Sequence, residues 1–596
     1  MIQHKIFAST ALAMTIGLLA GCSGSSTPQA PVTVSIIGMN DFHGNLAAPS
    51  GSVTVSDPAN PAGTRVSAGG AAFLATLVSD LKAQNPNTLV VAAGDMVGGT
   101  PLVSALFHDE PTIDALNAIG LDVSSVGNHE FDKGAAELRR LQNGGCFPRS
   151  SDNSRGIVGV DTCMTDGKFA GAKFQYLAAN VIDTSTKRTL FEPYTIRSVG
   201  GQKIAFIGLT LKDTPSVVTP AGVAGLQFTD EVETINRLVP ELVTQGAAAI
   251  VVLVHQGGFT TASKVNDKTC PGLNGEIISL TDRLDSRIDA VISGHTHAEY
   301  NCTRPDGKIL TQTGFYGRMV TKLDLVINPD TNRVTSKSAQ NIVTVNNVVL
   351  KDAQGAAIAL PAGITALAAN PTVAALVQRF TSLTAPITSQ VIGNVATTVD
   401  RTQNSAGESK LGDIIADIYL NGSIGPAYGN KPAVIAFSNP GGIRSNITNT
   451  VVTYGDLFSV TPFGNNLVTV DLTGAQILRL LEQQWEAPQP TAGRVMQVSN
   501  GFSYTWDGST PAGAAAGTGA RVVPGSIKLN GTPISMTASY RVTVNNFMAT
   551  GGDNYTVLTK GTNSQAGEID IDAGVAYFKS VGTVPTPGQN RITRIN

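Results

Sequence analysis

Short apolar runs bounded by Gly, Asn or Asp recur through the first half of the chain, at 32–39, 88–93, 123–126, 177–180, 204–210, 248–254 and 288–293. Each is rich in β-branched residues or Ala, the signature of a buried strand. Helical patterns fall between them at 70–84, 111–119 and 232–245. Strands alternating with helices predict α/β layers with a largely buried sheet. Residues 346–385 change character: the segment is Ala-rich and weakly charged, and predicts a connecting helix near 371–383. After Pro386 a second region begins, with amphipathic helices expected at 411–420 and 474–485 among several strands. The expected organisation is a domain over 32–345, a linker over 346–385 and a second domain over 386–596. No internal repeat is visible.

The N-terminus carries a different pattern. His4 and Lys5 precede an apolar stretch from Ile6 to Ala20, too short to span a bilayer comfortably. It ends in Leu19-Ala20-Gly21-Cys22, which resembles a bacterial lipobox. Residues 1–21 then read as a lipoprotein signal peptide, Cys22 as the lipidated first residue, and 22–31 as a flexible tether. An ordinary cleaved secretory signal is the alternative. Ser23 stands where an Asp commonly retains lipoproteins at the inner membrane, so the expectation is an outer-membrane anchor facing the periplasm or the cell surface. No later run of 18 or more apolar residues offers a second membrane contact.

Composition narrows the functional class. The 596 residues carry 42% apolar and only 14% charged side chains, which excludes a chain disordered throughout. Lys and Arg number 41 against 44 Asp and Glu, net −3, so nothing suggests a basic groove for a nucleic-acid polymer. Nothing calls for an oligomer, and a monomer is the default. Of the five cysteines, Cys146, Cys163, Cys270 and Cys302 remain after Cys22. An even number in an exported chain predicts two disulfides. Three connectivities are open, and the near-neighbour pairs Cys146–Cys163 and Cys270–Cys302 are preferred.

The chemistry sits at the strand ends. Five runs are followed by residues able to bind a metal: Asp41 and His43; Asp95; Asn128, His129, Glu130 and Asp132; His255; and His295 and His297. Ligand sites in α/β sheets lie beyond the carboxyl ends of strands, so five such loops on one sheet would converge on one edge. Taken singly, the motifs also read blandly: Asp-x-His as a chance pair, Gly94-Asp95 as a turn, and His255 as a satisfied histidine at a strand end. As an ordered set they do not: once His4 leaves with the signal, five of the remaining six His occupy strand ends, and only His108 does not. Asp41, His43, Asp95, Asn128, His255, His295 and His297 are too many donors for one tetrahedral ion and suit two ions sharing a carboxylate. Imidazole and carboxylate donors suit Zn, Mn, Co or Fe better than Ca or Mg.

In this order, these motifs resemble the calcineurin-like metallophosphoesterases. NDFHG, AAGDMVGGT and VGNHEFDKG are similar to the bacterial 5′-nucleotidase, UDP-sugar hydrolase and 2′,3′-cyclic phosphodiesterase family. The resemblance implies a four-layer α/β/β/α domain followed by a smaller α+β substrate-binding domain. It also implies one ion on Asp41, His43, Asp95 and His297, and a second on Asp95, Asn128, His255 and His295. His129 would assist the leaving oxygen, with Asp132 orienting its ring.

The second region holds NPGGIR, TPFGN and NFMATGGDNY, each a turn that also reads as core beside a loop. The resemblance makes them a nucleotide reader. Phe463 and Phe547 would sandwich the base and Asp553 would contact the ribose. Arg401, Asn439, Arg444 and Asn465 complete the motif residues, with arginines on the phosphate side. Ser405 stands where the family carries a further Arg. The expected function is release of phosphate from nucleoside 5′-monophosphates outside the cytoplasm, with UDP-sugars as a further substrate class. A 2′,3′-cyclic phosphodiesterase with 3′-nucleotidase activity and a non-catalytic surface-binding lipoprotein are the alternatives.

Overall fold

The structure is a computed structural model and describes residues 29–596 except residue 50, residues 152–154, residue 353 and residues 426–427. Cys22, the signal segment 1–21 and tether residues 22–28 lie outside the described residues.

Two six-stranded sheets form the first half. The first runs Arg333–Val343, Met319–Asn328, Val32–Met39, Thr88–Ala93, Val123–Ser125, Gln175–Leu177 from edge to edge, its last four strands parallel. The second runs Glu299–Thr303, Ile309–Thr313, Ala290–Ser293, Ala249–His255, Gln202–Thr210, Tyr194–Val199, its central four strands parallel. Alternate residues of each strand go to opposite faces. Val34, Ile36 and Val91 therefore meet Phe206, Val251 and Ile292 in a core between the sheets. Ile37, Met39 and Val90 face outward onto a core shared with the helices Ala71–Gln84, Glu110–Ile119 and Gly134–Asn143. Ile207, Ile250 and Val252 do the same on the far side with Glu231–Thr244 and Glu276–Asp282. The layering is thus α/β/β/α. The sheets come close at Gly38, where a Cβ would stand 2.8 Å from Ile292 Cδ1.

One expectation needs correcting. The five ligand-bearing runs do not share one sheet: three belong to the first and two to the second. Runs that are apolar on both faces fix burial but not which neighbour each strand takes. Both disulfides form, Cys146–Cys163 and Cys270–Cys302, with Cα atoms 5.3 and 6.0 Å apart.

The helix Pro371–Thr388 leads into the second half, its start capped by the Asn370 side chain, which accepts from the Thr372 and Val373 amides. It runs past the expected end at 383. Pro386 removes one amide donor within the last turn, where the loss is confined to the helix terminus. The second half centres on a five-stranded sheet in the order Gln497–Val498, Ile435–Ser438, Ser539–Asn545, Asn466–Thr473, Thr562–Ile569. The helices Lys410–Gly422 and Asp570–Val581 share one core with it, and Gly474–Glu482 shares another. The short helix Thr214–Val217 of the first half lies against Gly552–Asn554 of the second, so the two halves meet. Among the described residues, no helix is long and apolar enough to cross a membrane.

Candidate functional site

All seven candidate ligands meet at the ends of the two sheets. His43 Nε2 lies 3.2 Å from His297 Nε2, and His297 Nε2 lies 3.3 Å from Asp41 Oδ1. On the other side, Asn128 Oδ1 lies 3.1 Å from His255 Nε2 and 3.0 Å from His295 Nδ1. Asp95 stands between the groups, its Oδ2 3.0 Å from His255 Nε2 and 3.6 Å from His43 Nε2. Two triads, Asp41/His43/His297 and Asp41/Asp95/His255, each bring their donor atoms within 4.8 Å of one another.

The backbone is bent to make this possible. Asp41, His43, Asp95, His295 and His297 all adopt left-handed φ, between 46° and 74°. Asp, Asn and His tolerate that region better than other non-glycine residues, and such strain concentrates at functional sites. Gly127 sits so near that a Cβ there would lie 2.2 Å from Asp95 Oδ1. The ring nitrogens are also set: His43 Nδ1–H donates to the Gly98 carbonyl and His255 Nδ1–H to the Ala93 carbonyl, both at 2.8 Å. Each ring therefore points its Nε2 toward the cage. Burial acts to raise the Asp95 carboxyl, but His255, His129 and His43 outweigh it and hold Asp95 well below the usual carboxylate range. Burial, joined by Arg444, holds His43 neutral. Burial lowers His255, but Asp95 and Asp41 outweigh it and raise it to about 10. Buried carboxylates and imidazoles packed donor to donor form a set that suits divalent metals.

His129 lies beside the cage and outside it. Its Nδ1–H donates to Asp132 at 2.9 and 3.1 Å, leaving Nε2 for another partner. Burial lowers the proton affinity of His129, but Asp132 and Asp95 more than offset this, and the net shift is upward.

The second half closes over the site. Arg444 Nη2 donates to His43 Nε2 at 3.1 Å, and the Phe463 ring stacks on His129 with centroids 5.7 Å apart. Arg401 Nη1 donates to the Ile443 carbonyl at 2.8 Å, next to Arg444. Asp553 accepts from Asn439 Nδ2 at 2.9 Å and pairs with Arg494 at 3.5 Å. Phe547 packs on Gly552, where a Cβ would lie 2.5 Å from the ring. Among the described residues, the Asn465 side chain hydrogen-bonds to none of these groups. Phe463 rests on His129 rather than pairing with Phe547.

The roles of several residues at the site escaped sequence reasoning. Glu130 is buried and accepts four backbone amides, from Asp95, Met96, Val97 and Gly127. It belongs to a recognised motif, but its role depends on a turn whose shape the sequence does not give. Asn40 Nδ2 donates to Asp41 Oδ2 at 2.6 Å. Phe315 stacks on His297 with centroids 4.8 Å apart, and Arg318 lies over the Phe315 ring at 4.4 Å. Both follow the strand Ile309–Thr313, a run absent from the predicted strands; the strand-end rule would have reached them had it been seen.

Residues 34–299 match the calcineurin-like phosphoesterase family, and residues 389–560 the 5′-nucleotidase C-terminal domain. A cell wall protein of Listeria monocytogenes is 30% identical over 95% of this chain and 70% of its own length. The chain belongs to the 5′-nucleotidase family of calcineurin-like phosphoesterases. The 5′-nucleotidase precursor of Thermus thermophilus superposes with a TM-score of 0.71 at 26% identity, covering 95% of this chain and all of that one. Endonuclease YhcR of Bacillus subtilis is 31% identical over 93% of this chain, which spans only 40% of that longer protein. Members of this family depend on divalent metal ions, and the donor groups around Asp95 are candidate ligands for them.

Proposed function

We propose that this chain is an extracytoplasmic, lipid-anchored hydrolase that removes phosphate from nucleoside 5′-monophosphates, with UDP-sugars as a further substrate class. The observation that carries the reading is the convergence of seven donor side chains, Asp95 central among them, with His129–Asp132 beside them and Arg444 and Phe463 above. Asp41, His43, Asp95 and His297 would hold one divalent ion, and Asp95, Asn128, His255 and His295 a second. Ions held there neutralise phosphoryl oxygens and acidify the attacking water.

The remaining work falls to the chain itself. Asp132 fixes the His129 tautomer with the proton on Nδ1 and sustains the cation when Nε2 is also protonated. His129 Nε2–H then delivers its proton to the leaving ribose oxygen. Arg444 stands at the cage edge, where a guanidinium pairs with phosphoryl oxygens in bidentate fashion. Phe463 and Phe547 offer faces for a base, and Asp553, held by Asn439, offers acceptors for ribose hydroxyls. Phe463 would have to leave the His129 ring for a base to enter.

A panel of 5′-AMP, 3′-AMP, 2′,3′-cyclic AMP, UDP-glucose and single-stranded DNA, run with metal analysis, tests this reading. Preferred release of phosphate from 5′-AMP is the expected result. Preference for the 3′ and cyclic esters would replace it with the phosphodiesterase reading, and cleavage of DNA with an endonuclease. Metal content without turnover of any ester would favour a binding lipoprotein.

A further inference from the structure

The segment 485–494 lies against the Asp553 loop and has no task in the reaction described above. Gln489 Nε2 donates to the Asp553 carbonyl at 2.6 Å, and Tyr555 Oη donates to the Arg494 carbonyl at 2.5 Å. The Arg494 amide in turn donates to the Gln484 carbonyl at 2.9 Å. The backbone of Arg494 is thus pinned from both sides, and its guanidinium faces Asp553 Oδ1 at 3.5 Å. Asp553 is tied toward the cage by its other oxygen. Oδ2 accepts from Asn439, which opens the NPGGIR turn that ends in Arg444. Arg444 reaches His43, and its carbonyl accepts from Tyr316 Oη at 3.3 Å.

Two groups on this segment are left over beside the ribose reader. Gln489 Oε1 is buried and accepts from nothing. Its Nε2 faces a carbonyl, so the amide cannot turn round to relieve it. The Arg494 guanidinium offers five donors, and its side chain is 27% exposed. Among the described residues it makes no side-chain hydrogen bond; the 3.5 Å approach to Asp553 is well beyond the ~2.7–2.9 Å of a charge-assisted bond. A loose, part-exposed pair of this kind is weak, so the guanidinium can take a better acceptor. Asp553 alone suits free ribose hydroxyls and repels a phosphoryl group on the same edge. Arg494 reverses that preference: it offsets the Asp553 charge and presents a fork that matches phosphoryl oxygens.

We propose that Arg494 is a specificity residue that binds a phosphoryl group on the ribose 2′ or 3′ oxygen while the 5′-phosphate lies at the cage. The chain thereby takes nucleoside bisphosphates as substrates alongside monophosphates. Water adds to the 5′ phosphorus, the bond from phosphorus to the 5′ oxygen breaks, and that oxygen takes its proton from His129. The products are inorganic phosphate and a nucleoside 2′- or 3′-monophosphate. The inference rests on the nucleotidase reading, with Asp553 at the ribose.

Turnover by the metal-loaded full chain gives the first test, with 5′-AMP, adenosine 2′,5′-bisphosphate and adenosine 3′,5′-bisphosphate as substrates and chromatography of the products. At least one bisphosphate should lose its 5′-phosphate with kcat/KM no lower than that of 5′-AMP. Arg494→Met should lower the bisphosphate-to-monophosphate ratio of kcat/KM by about 10–100-fold, the scale of one charge-assisted hydrogen bond. Arg494→Lys, which keeps the charge but not the fork, should lower it less. Release of 5′-AMP from the bisphosphates would place the other phosphate at the cage and overturn the proposal. So would an unchanged ratio in Arg494→Met, with thermal unfolding showing a folded chain. The second test is calorimetry with inorganic phosphate saturating the cage, titrating adenosine, 2′-AMP and 3′-AMP. One of the two monophosphates should bind more tightly than adenosine, and Arg494→Met should erase the difference. Equal binding of all three by the wild-type chain overturns the proposal and leaves the nucleotidase reading intact. Failure of all three to bind, with no hydrolysis of 5′-AMP, sinks that reading and the proposal with it.

Discussion

Replacing Glu130 with Gln should loosen the cage without touching any ligand. Glu130 Oε2 accepts from the Asp95 amide at 2.9 Å and the Gly127 amide at 2.6 Å, while Oε1 accepts from Met96 at 2.7 Å and Val97 at 3.4 Å. Burial and the Asp95 carboxylate push Glu130 up to about 7, against the opposing pull of His255 and of the Gly127 and Asp95 amides. A Gln side chain has the same shape but turns an NH2 toward one pair of donors, whichever way it rotates. The cheaper orientation faces Met96 and Val97, because the 3.4 Å bond there is the weakest. That still removes both bonds to Oε1, of which the 2.7 Å bond from Met96 alone is worth about 1.5–3 kcal/mol, and it weakens those remaining. The total comes to about 3–5 kcal/mol, concentrated on the loop that presents Asp95. Metal affinity should fall about 10–100-fold, the usual cost of disturbing what holds a ligand in place. Urea unfolding gives the stability change, and metal titration of the chelated chain gives the affinity. Wild-type values for both would refute the claim that Glu130 positions Asp95.

Other outcomes follow from the same geometry. His129→Ala should lower kcat by about 10²–10⁴-fold, the usual worth of a general acid, with metal content per chain unchanged; loss of metal would contradict its place outside the cage. Phe463→Ala should raise KM for 5′-AMP by about 5–150-fold, equivalent to ~1–3 kcal/mol of base stacking, while leaving the KM of ribose 5-phosphate nearly unmoved. Asp413 is buried, with neither oxygen hydrogen-bonded, and burial, opposed by Arg591 and aided by Glu408, pushes it up to about 8. Unfolded, it ionises near about 4. Between those values the folded chain holds a proton that the unfolded chain has lost, so this contribution is full below about 4 and declines as pH rises through about 8. Asp413→Asn should flatten the fall in urea midpoint between about pH 5.5 and 8; parallel profiles for variant and wild type would contradict it.

The site was more legible than the fold around it. Strand-end motifs need only local sequence, so Asp41, His43, Asp95, Asn128, His255, His295 and His297 could each be picked out before any pairing was known. Which sheet each strand joins depends on contacts between distant segments, and runs such as 249–255, buried throughout, look alike from either side. Ile309–Thr313 was missed because it reads Ile-Leu-Thr-Gln-Thr, half polar, although every residue in it is buried. Tyr316 and Arg318 were missed with it. The helix at 474–485 was drawn too long because Gln484 and Trp485 continue its pattern, yet they turn into the core beyond Glu482. The reach of Arg444 to His43, 401 positions apart in sequence, could be guessed only from the family resemblance.

The central claim is that Asp95 bridges two cations. Anomalous scattering from crystals grown with Mn or Zn tests it most directly. The account predicts two peaks, one within coordination distance of His43, His297 and Asp41, the other of Asn128, His255 and His295, with Asp95 touching both. A single peak, or peaks remote from Asp95, would contradict it.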